Sequence, residues 1–129
     1  MRDIEFRAKS VDNNEWLYGF YHNETSKESP ASERTITRHH IYTQYFDKYV
    51  DPETIGQYIG LKDNNEQKVF EGDIMQDSFD PDEIYIVSFM DGEFVLINDV
   101  NVIMDIEQVH FLSVIGNIHD NKEIFKSED

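Results

Sequence analysis

The chain has 129 residues, 27 Asp and Glu against 11 Lys and Arg, a formal net charge of −16 and no cysteine. That length suits one ordinary domain or two very small units sharing a core and excludes a large multidomain enzyme. Without cysteine there is no disulfide framework, thiol nucleophile or thiolate metal site, and any zinc would rest on His and carboxylates. Leu, Ile, Val and Phe still make up more than a quarter of the chain, too much for a disordered polymer. Val, Ile, Phe, Tyr and Trp far outnumber Leu, Ala and Met, which favours sheet over helix bundle, because branched and aromatic side chains fit a pleated surface and lose rotamer freedom in a helix.

In chain order, Ile4, Phe6 and Ala8 alternate with Glu5 and Arg7, Asp12-Asn13-Asn14 marks a turn, and Trp16 to Tyr21 is a second aromatic-rich run, the pattern of a hairpin. Trp16, Tyr18 and Phe20 alternate along that second strand and are expected to pack as core; a stacking platform for single-stranded nucleic acid would need more Lys and Arg than Arg2, Arg7 and Lys9. From His22 to His40 only Ala31 and Ile36 are apolar, which predicts a flexible loop. Two periods overlap next. Ile36, Arg38, His40 and Tyr42 alternate as in a strand, whereas Tyr42, Tyr45, Phe46, Tyr49 and Val50 fit a helical stripe. Asp51-Pro52 ends either one.

Short strand patterns then recur. Residues 54–61 and 68–70 flank the turn 63–66, and Ile74-Met75 follows Glu71-Gly72-Asp73. Residues 84–89 and 94–97 flank Met90-Asp91-Gly92-Glu93, whose Asp-Gly pair suits a tight hairpin. Runs 109–112 and 114–118 come last, with Gly116 marking a bulge or a close backbone approach. Residues 120–129 form a charged tail with room for one helical turn at Ile124 and Phe125. The expected fold is mainly β: an N-terminal β-hairpin region over 1–65 with its loop at 22–40, followed over 66–129 by a small C-terminal SH3-like β-barrel with a short charged tail, the two forming one compact unit.

Charge is divided unevenly. Residues 1–50 are nearly neutral, whereas residues 51–129 hold 19 acidic residues against four basic ones, and no Lys or Arg occurs between Lys68 and Lys122. Such a surface repels phosphate backbones and attracts basic ones. Direct nucleic-acid binding is therefore disfavoured, and a basic protein partner is expected at Asp77, Asp80, Asp82, Glu83, Asp91 and Glu93. The apolar runs are four residues long, against the roughly 20 of a membrane span, and no basic leader precedes an apolar stretch; the expected location is the cytoplasm.

No catalytic, cofactor-binding or metal-binding residues are expected. Asp77-Ser78-Phe79-Asp80-Pro81-Asp82-Glu83 is the densest carboxylate run, but Phe79 and Asp82 stand where an EF-hand loop needs an oxygen ligand and a glycine. The histidines His22, His39, His40, His110 and His119 show no HxH or HExxH spacing. On a strand, His39 and His40 face opposite sides and cannot share one ion.

The run Val50 to Met75, with Asp51-Pro52-Glu53-Thr54-Ile55-Gly56, Tyr58-Ile59-Gly60-Leu61-Lys62-Asp63 and Val69-Phe70-Glu71-Gly72-Asp73-Ile74, resembles the signature of the YopX family of phage and prophage proteins. The opening Arg2 to Ala8 and the ending Val114 to Asn121 are similar to that family's start and finish. Glu66-Gln67 departs from the Asn-Gly type of turn usual there. The resemblance implies a mostly-β fold with an SH3-like barrel in its C-terminal part, and no enzyme activity or cofactor. The signature residues Asp51, Pro52, Glu53, Gly56, Gly60, Leu61, Asp63, Glu71, Gly72, Asp73, Gly116 and Asn117 read as structural, with glycines at tight approaches and aspartates capping turns. The expected function is that of a non-enzymatic accessory binding module with an acidic surface. The alternatives are a metal-assisted hydrolase built on the 77–83 carboxylates and a structural homo-oligomer.

Overall fold

A computed structural model describes residues 4–125, apart from the side chain of Phe125; Met1–Asp3 and the last four residues of the charged tail lie outside the described residues. The chain is mainly β, and its contacts divide it into one unit over Ile4–Gln57 and a second beginning at Tyr58. The division falls inside a strand, whereas the sequence pattern sets it at 65/66, inside the turn that follows that strand.

In the first unit, β1 (Phe6–Lys9) pairs antiparallel with β2 (Trp16–Lys27), β2 with β3 (Thr35–Tyr42), and β3 with the short β4 (Asp47–Tyr49). The turn between β1 and β2 sits at Asp12–Asn14, with Asn14 at φ 63°. Residues 22–40 are not a loop. The ladder continues through eight pairs from Phe20↔Tyr42 to Lys27↔Thr35, and only residues 28–34 connect the strands. Cross-strand contacts such as Thr25 Oγ1 to Thr37 Oγ1 at 2.8 Å support a hairpin that buries little apolar surface. Over 36–50 the strand period wins: Thr43 N–H donates to the Phe46 carbonyl at 2.8 Å, closing a turn where the helical stripe would have run. After β4 the chain forms a 3₁₀ turn at Pro52–Thr54 and enters β5 (Gly56–Lys62), whose Gly56 and Gln57 pair with β1. The core of this unit is Ala8, Ile41 and Val50, with Phe6, Leu17, Tyr21, Phe46 and Ile55 packed on it.

That core corrects the expected placement of the aromatics. Leu17 and Tyr21 face inward, while the alternating residues Tyr18 and Phe20 remain 45% and 51% exposed on the opposite face. A strand has two faces, and here the inner one is taken by Leu17, Gly19 and Tyr21.

In the second unit, Tyr58 and Lys62 of β5 pair with β6 (Lys68–Phe70), with an irregularity between them. A five-stranded antiparallel sheet follows in the order β10-β9-β8-β7-β11, built from β7 (Asp73–Asp77), β8 (Ile84–Met90), β9 (Glu93–Asn98), β10 (Ile103–Asp105) and β11 (Leu112–Asn117). The β8–β9 turn has Asp91 at φ 52° and Gly92 at φ 83°, the two positive values of a tight type I′ hairpin. Residues 109–112 are not a strand but belong mostly to a 3₁₀ turn over Ile106–Phe111, opened by the Asp105 side chain accepting from Glu107 N–H at 2.9 Å. The expected bulge at Gly116 is present as a register shift between Val114 and Gly116. The core is Ile59, Val69, Met75, Tyr85, Val87, Leu96, Val109 and Leu112. Among the described residues no pairing joins β10 to β11, so the ladder does not close into a barrel. A 3₁₀ turn at Lys122–Phe125 ends the described chain, and no described helix is long and apolar enough to cross a membrane.

Candidate functional site

The signature residues are built into the framework. Asp51 Oδ1 accepts from Glu53 N–H at 3.0 Å and so caps the turn that Pro52 begins. The hydroxyl of Thr54 donates to the Asp51 carbonyl at 2.7 Å and accepts from Lys9 N–H at 2.8 Å. Asp63 is 3% exposed. Its Oδ1 accepts from Asn65 and Gln67 N–H at 2.8 and 2.9 Å, and its Oδ2 accepts from Val114 N–H at 3.0 Å, 51 residues away. Gly72 donates to the Val87 carbonyl and accepts from Ile118, both at 2.9 Å, while buried Asp73 accepts from Phe70 N–H at 2.8 Å. Asn117 Oδ1 accepts from His119 and Asp120 N–H, both at 2.9 Å. These groups spend much of their hydrogen-bonding capacity on nearby backbone, as capping residues do. Gly56 is buried in β5, Leu61 packs on the second core, and Glu71 is half-buried beside Gly72.

The six acidic residues expected at an interaction surface lie at opposite ends of one strand. Asp77, Asp80, Asp82 and Glu83 surround the loop that leads into β8, with Asp99 after β9 at the same end through the Tyr85↔Asn98 pairing. Asp91 and Glu93 flank the far end of β8, about 20 Å off at the rise of a strand. The loop folds on itself: Asp77 Oδ1 accepts from Phe79 N–H at 2.8 Å and Asp80 Oδ1 from Asp82 N–H at 3.2 Å. Glu83 accepts from the Tyr85 hydroxyl at 2.8 Å. Burial, then the Glu83 hydrogen bond and the charges of Glu83, Asp77 and Asp80, push the Tyr85 phenol up to about 12. Among the described residues these carboxylates form no salt bridge. Nor do three of them converge as ligands would.

A different cluster does converge, on the open face of the first sheet. Register sets His22 opposite His40 and His40 opposite Tyr49, with Asp47 one row away opposite Tyr42. The two imidazoles stack at 4.3 Å and 15°, with Tyr42 edge-on to His22 and Tyr49 tilted against His40. His40 is buried and reaches Asp47 Oδ1 through Nδ1 and Glu24 Oε1 through Nε2, each at 3.0 Å. His22 Nε2 lies 3.5 Å from the same Asp47 oxygen. His39 does face the other side, where its Nδ1 meets the Tyr21 hydroxyl at 2.7 Å. His110 is exposed on the 3₁₀ turn and His119 half-buried beyond β11. Spacing along one strand could not reveal this cluster, because His22, His40 and Asp47 meet only across strands. The usable signal was register: once 16–27 and 35–42 are read as one hairpin, positions 22 and 40 face each other.

Two antiparallel sheets on a framework of buried, capping aspartates define a small all-β protein with polar clusters on its open faces. Residues 5–126 match the family model described as YopX protein, and the chain belongs to that family. Among solved structures it is similar to the crystal structure of protein EF1440 from Enterococcus faecalis, at 21% identity and a TM-score of 0.56, over 98% of this chain and 100% of that one. At that identity the likeness shows the fold. No match is found among curated proteins.

Proposed function

We propose that this chain is a non-enzymatic accessory protein of a phage or prophage, working in the host cytoplasm by docking the acidic loop end of its second unit on a basic protein surface. The observation that carries the reading is the gathering of Asp77, Asp80, Asp82, Glu83 and Asp99 at one end of the five-stranded sheet, in a stretch of sequence without Lys or Arg between 68 and 122. One-signed, solvent-facing charge steers association and favours opposite charge. The phage or prophage setting rests on the family resemblance at 50–75. The SH3-like reading of this unit is kept as an open form, favoured by a meander from β7 to β10 that returns through a 3₁₀ turn to lay β11 against β7.

The test compares the full chain with an Asp77→Asn/Asp80→Asn/Asp82→Asn variant as bait in bacterial lysate. Basic proteins are expected on the wild type at low salt, released as the Debye length shrinks to about 3 Å at 1 M, and depleted on the variant. Equal capture by both baits, or capture indifferent to salt, would overturn the reading.

A further inference from the structure

We infer that His22, His40 and Asp47 form a binding site for a zinc-class transition-metal ion, with Glu24 as the carboxylate that orients His40. The argument starts from what an imidazole can satisfy. Neutral His40 carries one N–H, yet both of its ring nitrogens face carboxylate oxygens at 3.0 Å. If Nε2–H donates to Glu24, the Nδ1 lone pair points at Asp47 Oδ1, acceptor against acceptor. A cation between them resolves the conflict. A histidine that ligates through one nitrogen and donates its other N–H to a carboxylate is the usual arrangement around a protein-bound metal.

The two spacings to Asp47 fit as well. Ligands about 2.0–2.1 Å from a tetrahedral ion stand roughly 3.4 Å from one another. Asp47 Oδ1 lies 3.0 Å from His40 Nδ1 and 3.5 Å from His22 Nε2, and the ligand atoms of all three residues fall within 4.8 Å of each other. Binding asks His22 to turn out of its stack on His40 so that both in-plane lone pairs meet one ion, and His22 and Asp47 are the partly exposed members of the group while His40 is buried. Among the described residues this is the one group of three possible ligands. Two nitrogens and one oxygen, with no thiolate, select zinc or its first-row neighbours over calcium and magnesium, which ask for oxygen throughout. Three protein ligands leave a fourth position open. The ion would tie the three-residue edge strand β4 to β3 and β2, so binding would appear as added stability.

The test uses the full chain after chelator treatment. Cobalt is added as the spectroscopic probe, then zinc as competitor, and zinc is titrated calorimetrically into the wild type, His22→Gln and Asp47→Asn. Both substitutions are at partly exposed positions, and circular dichroism checks that the fold is kept; His40→Ala is avoided because that ring is buried. The expected result is one cobalt per chain with the visible absorption of a tetrahedral site, bleached by zinc, and at least tenfold weaker zinc binding in each variant. Calcium and magnesium should leave the melting temperature unchanged. Absence of zinc binding by the wild type would overturn the proposal. So would zinc binding unchanged in both folded variants, or a calcium shift as large as that of zinc.

Discussion

Asp63 and Asp77 carry the same side chain, sit fourteen positions apart in the acidic half and play different parts. Asp77 accepts one bond, from the Phe79 N–H of its own loop. Asp63 accepts three, from Asn65, Gln67 and Val114, and so ties the turn before β6 to β11. A buried donor stripped of its acceptor costs about 1–3 kcal/mol, and bonds to an ionised group are among the stronger ones. Asp63→Ala is therefore expected to destabilise the protein by about 3 kcal/mol in a denaturant titration, since the Asn65 and Gln67 amides can regain water but the Val114 amide cannot easily do so. Asp77→Ala should cost less than about 1 kcal/mol in the same assay. Equal losses would mean that burial does not separate the two roles. The turn after Asp63 also shows what the departure from the Asn-Gly pattern entails: Glu66 itself holds φ 63°, a conformation that glycine or asparagine adopts more cheaply.

The β2–β3 hairpin shows where register and sterics, not hydrophobicity, set the structure. Gly19 points its missing side chain at β3. A Cβ there would run into the Tyr42 carbonyl oxygen and come within 2.8 Å of Thr43 Cγ2 and 3.2 Å of Ile41 Cγ2. Gly19→Ala is expected to push β3 away and cost about 1–3 kcal/mol, the range for overpacking, read as a lower denaturant midpoint with unchanged slope. A midpoint equal to the wild type would show that the ladder yields at no cost. This hairpin also marks how far the sequence can be read. Strands with one apolar face were legible from alternation: Phe6 and Ala8 are inward, as their period predicts. The Asp91-Gly92 turn was legible because only certain residues take positive φ readily. Residues 22–40 were not, since both faces of the outer hairpin are polar and period-two hydrophobicity has nothing to act on. Misreading that stretch as a loop hid the His22–His40 pair and, with it, the metal-type cluster. The 106–111 turn was missed for a related reason, since Val109 and Phe111 alternate like a strand while the capping Asp105 starts a 3₁₀ turn.

At the scale of the molecule, the net charge of −16 is concentrated in residues 51–129, and within the second unit it gathers at both ends of β8. Two lengths then matter. Neighbouring carboxylates of the 77–83 loop lie within a Debye length at any ordinary ionic strength, whereas the two ends of β8, about 20 Å apart, feel each other at 0.01 M salt, where that length is about 30 Å, and hardly at all at 0.15 M, where it is about 8 Å. Folding holds these charges at fixed separations that the unfolded chain can relax, so like-charge repulsion works against the folded state. Added monovalent salt should therefore stabilise the protein. The melting temperature is expected to rise most steeply between 0.01 and 0.15 M sodium chloride, as the two ends are decoupled, and to flatten above that range, where only repulsion inside the loop remains. Chloride is the right salt, because sulfate would strengthen apolar burial in its own right and confuse the reading. The Asp77→Asn/Asp80→Asn/Asp82→Asn variant, with three charges removed from one end, should start from a higher melting temperature and gain less from salt. A melting temperature that fell with sodium chloride would show that the carboxylates take part in net attractive pairs in the folded protein, and the acidic end of the second unit would then be a satisfied surface with little charge left to offer a basic partner.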